Sequence, residues 1–101
     1  MTNLAQQLTK LDTFDAAEWV GVRWVCEGCE PFTLASAVGA VHCIEIGYAP
    51  DLRDPRALGV LWSMAHRQGL RVECTTLGDP EVVSVEITRA IVEASKCATN
   101  S

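Results

Sequence analysis

Several features that would identify a common protein class are missing from this 101-residue sequence. No stretch approaches the ~18 apolar residues of a membrane-spanning helix, and the polar start MTNLAQQLTK lacks the apolar core of a secretory signal. We therefore expect a cytoplasmic protein without a membrane partner. The sequence also has no nucleophile elbow, no Gly-rich phosphate loop and no H-E-x-x-H motif, so these hydrolase, nucleotide-binding and metalloprotease signatures are excluded.

Basic residues are scarce, with 8 Lys and Arg against 13 Asp and Glu and a net charge of −5. Because an acidic chain repels phosphate backbones, we expect no direct binding to nucleic acid. The charge is also uneven. Residues 12–30 carry five acids and a single arginine, whereas residues 51–71 carry four arginines and two aspartates. This distribution predicts an acidic patch and a weakly basic patch, or two ordinary solvated faces.

The stretch from Asp54 to Gly69 has the clearest helix pattern. Asp54 provides a side-chain oxygen for the first free amides, and Pro55 has its φ angle already set for a first helical position. Gly69 is the residue type that commonly follows a helix end. Apolar residues recur at spacings of three and four and predict one buried face; they are Ala57, Leu58, Leu61, Met64 and Ala65.

The remaining segments predict a single α/β (α+β) domain over residues 1–101. We expect one mixed four-stranded sheet packed by helices, in the order α-β-α-β-α-β-β-α, with parallel pairing between the first strands. The predicted helices besides the central one are residues 3–11, Pro31 to Gly39, and 88–97. The predicted strands are residues 18–25, 41–48, 70–77 and 82–88, the last two forming a hairpin.

The sharpest chemical motif is Cys26-Glu27-Gly28-Cys29, between a predicted strand and the helix expected to open at Pro31. A helix N-terminus beside Cys29 would favour its thiolate, and a C-x-x-C pair can close a redox disulfide. The strand order is similar to that of thioredoxin-like proteins. Cys29-Glu30-Pro31 resembles the Cys-Pro-x-Pro start of TusA-like sulfur carriers, although Glu30 stands where that motif has proline. These resemblances imply a thiol protein for redox exchange or sulfur relay.

The same two cysteines also have the spacing of a zinc knuckle. His42 or Cys43 would extend it toward a C-x2-C-x12-H pattern, with a fourth ligand still to be found. Zinc is therefore a possible structural cofactor of this chain, and we expect no other cofactor. Five cysteines without a secretion signal favour reduced thiols over a disulfide framework.

No residue is predicted to be catalytic, and the interpretation we prefer is a small acidic protein-interaction module rather than an enzyme. Such a module would bind a protein partner, as an inhibitor of a basic or nucleic-acid-binding surface. Phage-encoded anti-defence proteins of the anti-CRISPR type are similar in size and charge. The residues predicted to bind the partner are Asp12, Asp15, Glu18, Trp19, Glu27 and Glu30.

The sequence contains three tryptophans, a residue type that can serve at an interface or in the core. We expect core packing for at least two of Trp19, Trp24 and Trp62. A homodimer through an edge strand at residues 82–88, or through an exposed side of Trp19, is a further possibility.

Overall fold

The computed structural model describes residues 4–71 and 79–99, with side chains described as far as Lys96. Its elements begin with helix α1 (Leu4–Thr9), a short 3-10 helix (Ala16–Trp19), strand β1 (Arg23–Val25) and strand β2 (Phe32–Thr33). Helix α2 (Ala37–Glu45), strand β3 (Ala49–Pro50), helix α3 (Pro55–Arg67) and helix α4 (Pro80–Thr99) follow. The predicted mixture of helix and sheet in one small domain is confirmed.

The strands of the described residues form a three-stranded sheet in the order β2-β1-β3. Both pairings are antiparallel, and Trp24 in the centre lies opposite Phe32 on one side and Pro50 on the other. The predicted parallel pairing is therefore wrong, and the fourth strand is not confirmed. Most of the strand predicted at residues 70–77 lies outside the described residues.

The first strand is shorter than predicted because the residues before it form the 3-10 helix. The Asp15 carboxylate caps that helix by accepting a hydrogen bond from the Ala17 amide at 3.0 Å. At Gly21 the chain has a positive φ of 89°, and its amide donates to the Leu34 carbonyl at 2.8 Å. The predicted strand over residues 18–25 is thus reduced to Arg23–Val25.

Helix α2 replaces two predicted elements. The residues after Pro31 enter β2 rather than a helix, and α2 then runs through Gly39, the expected helix end, and into the strand predicted at residues 41–48. Ala40 is buried, and Cys43 and Ile44 are partly buried on the same side, at the spacing of a helix. Burial of this face outweighs the strand preference of the β-branched residues.

Helix α4 replaces the predicted hairpin strand at residues 82–88. The carboxylate of Asp79 accepts a hydrogen bond from the Glu81 amide at 3.1 Å, next to Pro80 at the helix start. The buried residues follow a helical spacing against α1 and α3, which explains why β-branched residues are helical here. They are Val83, Ser84, Ile87, Thr88, Ile91 and Val92.

Helix α3 confirms the clearest prediction. The Asp54 carboxylate accepts a hydrogen bond from the Arg56 amide at 3.1 Å, Pro55 is the first helical residue, and Gly69 has a φ of +74° just beyond the end. The same carboxylate accepts a hydrogen bond from the Arg23 amide at 2.8 Å, which ties the helix start to β1. The buried face comprises Ala57, Leu61, Met64 and Ala65.

The hydrophobic core lies between the sheet, the 3-10 helix and helices α3 and α4. Trp19 and Trp24 are fully buried, and Phe14 stacks on the first with ring centroids 5.7 Å apart and meets the edge of the second at 6.3 Å. The prediction that at least two tryptophans are core residues is confirmed, whereas Trp62 is exposed. In the described part of the chain, no helix combines the length and apolar character needed to cross a bilayer.

Candidate functional site

The C-x-x-C motif forms the turn between β1 and β2. The Cys29 amide donates to the Cys26 carbonyl at 3.1 Å, and Gly28 between them has a positive φ of 79°, which glycine adopts at little cost. Both thiols point toward the Glu27 carbonyl, at 3.6 Å from Cys26 and 3.9 Å from Cys29. The turn therefore holds the two sulfurs on the same side of the backbone.

The end of α2 brings further groups to this turn. The Cys26 sulfur lies 3.8 Å from the point that a Cβ on Gly47 would occupy, so the turn and the residue after α2 are in close approach. A hydrogen bond with the Cys29 thiol raises the pKa of Cys26, and burial adds to that rise. A hydrogen bond with Cys29 likewise raises the pKa of Tyr48, whose ring meets Phe32 edge-on at 4.9 Å.

Two predictions for the cysteines are not supported by this geometry. Cys29 does not lie at a helix N-terminus, because the segment after Pro31 is β2, so the prediction of a helix start beside its thiol is wrong. Among residues 4–71 and 79–99, no three His, Cys, Asp or Glu side chains are placed to hold a metal ion. Cys43 is partly buried near the thiols, whereas His42 is exposed on α2. The zinc site predicted from Cys26, Cys29 and His42 or Cys43 is therefore absent from the described residues.

The predicted acidic residues differ in their availability. Asp12, Asp15, Glu27 and Glu30 are exposed, although Asp15 also caps the 3-10 helix. Glu18 is partly buried and forms a two-point ion pair with Arg67, in which one of the hydrogen bonds is 3.1 Å long.

Trp19 is fully buried and cannot be a surface residue, so its predicted role in partner or dimer binding is wrong. The strand expected to mediate a dimer is likewise part of α4.

Helix α2 has an exposed apolar face, a feature that the sequence interpretation missed. Val38 is 89% exposed, Val41 61% and Ile46, just beyond the helix end, 54%. The exposed Glu45 lies beside them. We call these four residues the α2 surface. The spacing of three between the valines was the available signal, but it lay in a segment assigned to a helix end and a strand.

Two elements that carry predicted acidic residues contact α2 or the residue just after its end. The 3-10 helix, which begins after Asp15, packs against α2, and the turn that carries Glu27 and Glu30 lies against Gly47 at the end of the helix. The structure thus brings most of the predicted acidic residues to elements that touch α2. The structure also exposes apolar side chains on α2, whereas Trp19 is buried.

Comparisons with protein-family models, with curated proteins and with solved structures found no match for this chain. Its function is therefore inferred from the side chains described above. The two candidate regions are the α2 surface with its acidic neighbours and the Cys26–Cys29 turn with Tyr48.

Proposed function

We propose that this chain is a small protein-interaction module that binds a larger partner through the α2 surface. The observation that supports the proposal is the exposure of Val38 and Val41 on α2 and of Ile46 just beyond its end. Isolated exposed apolar residues are ordinary, but a contiguous apolar group with a polar border is typical of a binding surface. In this proposal the apolar residues are the centre of the surface and the acidic residues are its border.

The charge of the border indicates the kind of partner. Glu45 lies on the α2 surface, Glu27 and Glu30 on the adjoining turn, and the whole chain has a net charge of −5. Such a border favours a partner with a basic surface, since complementary charge speeds encounter and selects against acidic proteins. Basic surfaces are what nucleic-acid-binding proteins present to phosphates. An inhibitor that occupies such a surface is therefore the activity we propose, by analogy with anti-CRISPR proteins.

A capture experiment with matched apolar variants tests the proposal. Val41→Asp places a charge in the α2 surface, and Val82→Asp places the same charge on an exposed valine in the first turn of α4. We expect a partner captured from cell extract by the unmodified chain to be retained by Val82→Asp and reduced at least about tenfold by Val41→Asp. Equal capture by both variants would show that the α2 surface is not the binding surface.

The charge of the border is tested separately. We expect the double variant Glu27→Lys, Glu30→Lys to weaken capture of the same partner, and the loss to shrink as salt is raised, because salt screens exposed charges. Reversal of Glu86 and Glu93, which are exposed on α4, is the control with the same change in net charge. Equal losses in the two double variants would contradict a localised acidic border.

A thiol protein is the second candidate, and it is favoured by the contact between the Cys26 and Cys29 thiols. Closing a disulfide between them releases two electrons and two protons, which a disulfide substrate accepts as it becomes two thiols. The raised pKa of Cys26 makes it a weak attacking group at neutral pH, so exposed Cys29 would attack first. Sulfur relay, the TusA-like alternative, would use the same exposed thiol.

Reaction with oxidised glutathione distinguishes this candidate from the first. A thiol protein should form an intramolecular disulfide in the unmodified chain and a stable mixed disulfide in Cys26→Ser. Cys43→Ser is the control, because Cys43 lies outside the turn. If Cys26→Ser and Cys29→Ser leave partner capture unchanged and no intramolecular disulfide forms, the thiol candidate is rejected and the interaction module is retained.

A further inference from the structure

An open pocket of about 590 Å³ lies where β1 and the loop after β3 meet the start of α3. It shares no lining residue with the α2 surface or the cysteine turn, and its size is within the usual range for small-molecule sites. It is lined by Arg23, Asp51, Arg53, Asp54, Pro55 and Arg56. Three arginines and two aspartates therefore line one pocket.

The carboxylates are buried and already occupied by hydrogen bonds. Asp54 accepts from the amides of Arg23 and Arg56 and from Nε of Arg56 at 3.2 Å, while Asp51 accepts from the amide and Nε of Arg53, both at 3.0 Å. Burial raises the pKa of Asp54, but these hydrogen bonds and the Arg56 charge together lower it below its usual value. Both carboxylates therefore serve to hold the arginines rather than to meet a ligand.

The guanidinium groups remain open to the pocket. The side chains of Arg53 and Arg56 are 62% and 61% exposed, and each is fixed by its Nε to a buried carboxylate. Among the described residues, no group accepts a hydrogen bond from the terminal nitrogens of Arg56, and the exposed Arg23 side chain has no hydrogen-bond or ion-pair partner. The pocket thus presents the terminal donors of Arg56, which Asp54 holds in place, and those of Arg23, whose side chain is exposed.

Glu81, on α4, is a further charged group near this pocket. Glu81 raises the pKa of Arg53, after the larger effects of the hydrogen bond and charge of Asp51. Arg53 also donates to Asp51 from both Nε, at 3.0 Å, and Nη2, at 3.5 Å, so fewer of its donors are available to a ligand. The amides of Arg56 and Ala57 at the start of α3 are not part of the site, because they already donate to the carboxylate and the carbonyl of Asp54. Arg23 and Arg56 therefore supply the available positive charge and the available donors.

We infer that this pocket binds a doubly charged oxyanion, with phosphate as the matching chemistry, either free or as the monoester of a small molecule. A planar guanidinium held by a carboxylate can present two parallel N–H donors, the geometry that phosphate oxygens accept. Arg23, from β1, and Arg56, from α3, contact the anion from different elements. The inference is independent of the proposed partner binding, which uses other residues.

Titration of the ¹⁵N-labelled chain with inorganic phosphate tests the inference, at constant ionic strength and neutral pH. We expect saturable shifts of the Arg23 and Arg56 signals, and binding weakened at least about tenfold in Arg23→Gln, the loss typical of one charge-assisted hydrogen bond. Arg89→Gln removes the same charge from an exposed position on α4 and should change binding less than about twofold. Glycerol phosphate in place of phosphate shows whether the monoester binds better than the free ion.

Three results would overturn the inference. The first is the absence of saturable shifts with both phosphate and glycerol phosphate. The second is an equal loss in Arg23→Gln and Arg89→Gln, which would indicate only a general effect of net charge. The third is acetate binding as tightly as phosphate at the same ionic strength, since a singly charged carboxylate should bind at least about tenfold more weakly. Because Arg23→Gln leaves both Asp–Arg pairs in place, loss of folding does not confuse the result.

Discussion

Helices α2 and α3 differ in how they are held. Helix α3 has an aspartate cap, a proline at its first position and four buried residues. Helix α2 has Ser36 before it without a side-chain cap hydrogen bond, and Ala40 is its one buried residue. Helix α3 is therefore stabilised by its own residues and by the core, whereas α2 depends on its neighbours. The one that contributes less to the core presents the apolar surface.

This difference predicts a strong contrast in core substitutions, which is the largest of the expected effects. Leu61 in α3 is fully buried, so Leu61→Ala should lower the free energy of unfolding by about 2–5 kcal/mol through lost burial and a cavity. Val41→Ala in α2 should change it by less than about 0.5 kcal/mol, because that side chain is mostly exposed. Urea unfolding measures both. A large loss in Val41→Ala would mean that the α2 surface is structural.

The caps of the two helices provide the next contrast. Asp54→Ala removes the cap of α3 and leaves the Arg23 amide without its acceptor, so we expect a loss of about 2–3 kcal/mol. Ser36→Ala should cost less than about 0.5 kcal/mol, since its side chain makes no cap hydrogen bond. If urea unfolding shows equal losses of unfolding free energy in the two variants, the start of α3 is not better capped than the start of α2.

The interior glycines sharpen the comparison. An added Cβ at Gly59 in α3 meets no atom within 4 Å, and at Gly39 in α2 it meets only the Ser36 Oγ at an ordinary 3.9 Å. Alanine should therefore stabilise each site by about 0.5–1 kcal/mol through its higher helix propensity. Thermal unfolding of Gly39→Ala and Gly59→Ala measures this gain. A loss at Gly39 would show that the helix there needs glycine for contact with a neighbour.

We expect the smallest effect in the pH dependence of stability. The pKa of Asp54 is lowered in the folded chain, although burial opposes that lowering. Asp54 therefore contributes stability above its unfolded pKa, and the contribution is lost as the pH falls through the lower folded value. Asp54→Asn should flatten the decline in unfolding free energy over that acidic range. An unchanged decline would mean that other carboxylates account for it.

The part of the fold that could be predicted is the part specified by neighbouring residues. Asp54-Pro55 and the apolar spacing after it correctly predicted α3. The same Asp-Pro pair stands at Asp79-Pro80 before α4, but the β-branched residues after it favour a strand by local propensity. A count of spacings of three and four from Val83 to Ile91 would have favoured a helix. In this segment the helical periodicity of the buried residues outweighs their local strand propensity.

Other features could not be predicted from local patterns. Strands β2 and β3 have two residues each, too few to show an alternation, and their pairing with β1 depends on the packed core. The closeness of Cys26 and Cys29 follows from their spacing, but the contact of Tyr48 with them depends on where α2 ends. The pocket at the start of α3 joins Arg23 to Arg56 across 33 positions, so no local sequence pattern could show it.

The hydrogen bond from the Arg23 amide to Asp54 has a consequence for local opening. One oxygen of that carboxylate serves the amide of Arg56 two residues away, and the other serves an amide 31 positions away. The start of α3 and the first residue of β1 therefore cannot separate while the Asp54 carboxylate keeps both hydrogen bonds. In hydrogen exchange, the Arg23 and Arg56 amides should become accessible to solvent in the same opening event, with matching protection factors. The helix and the sheet meet in a single cooperative unit at this one side chain.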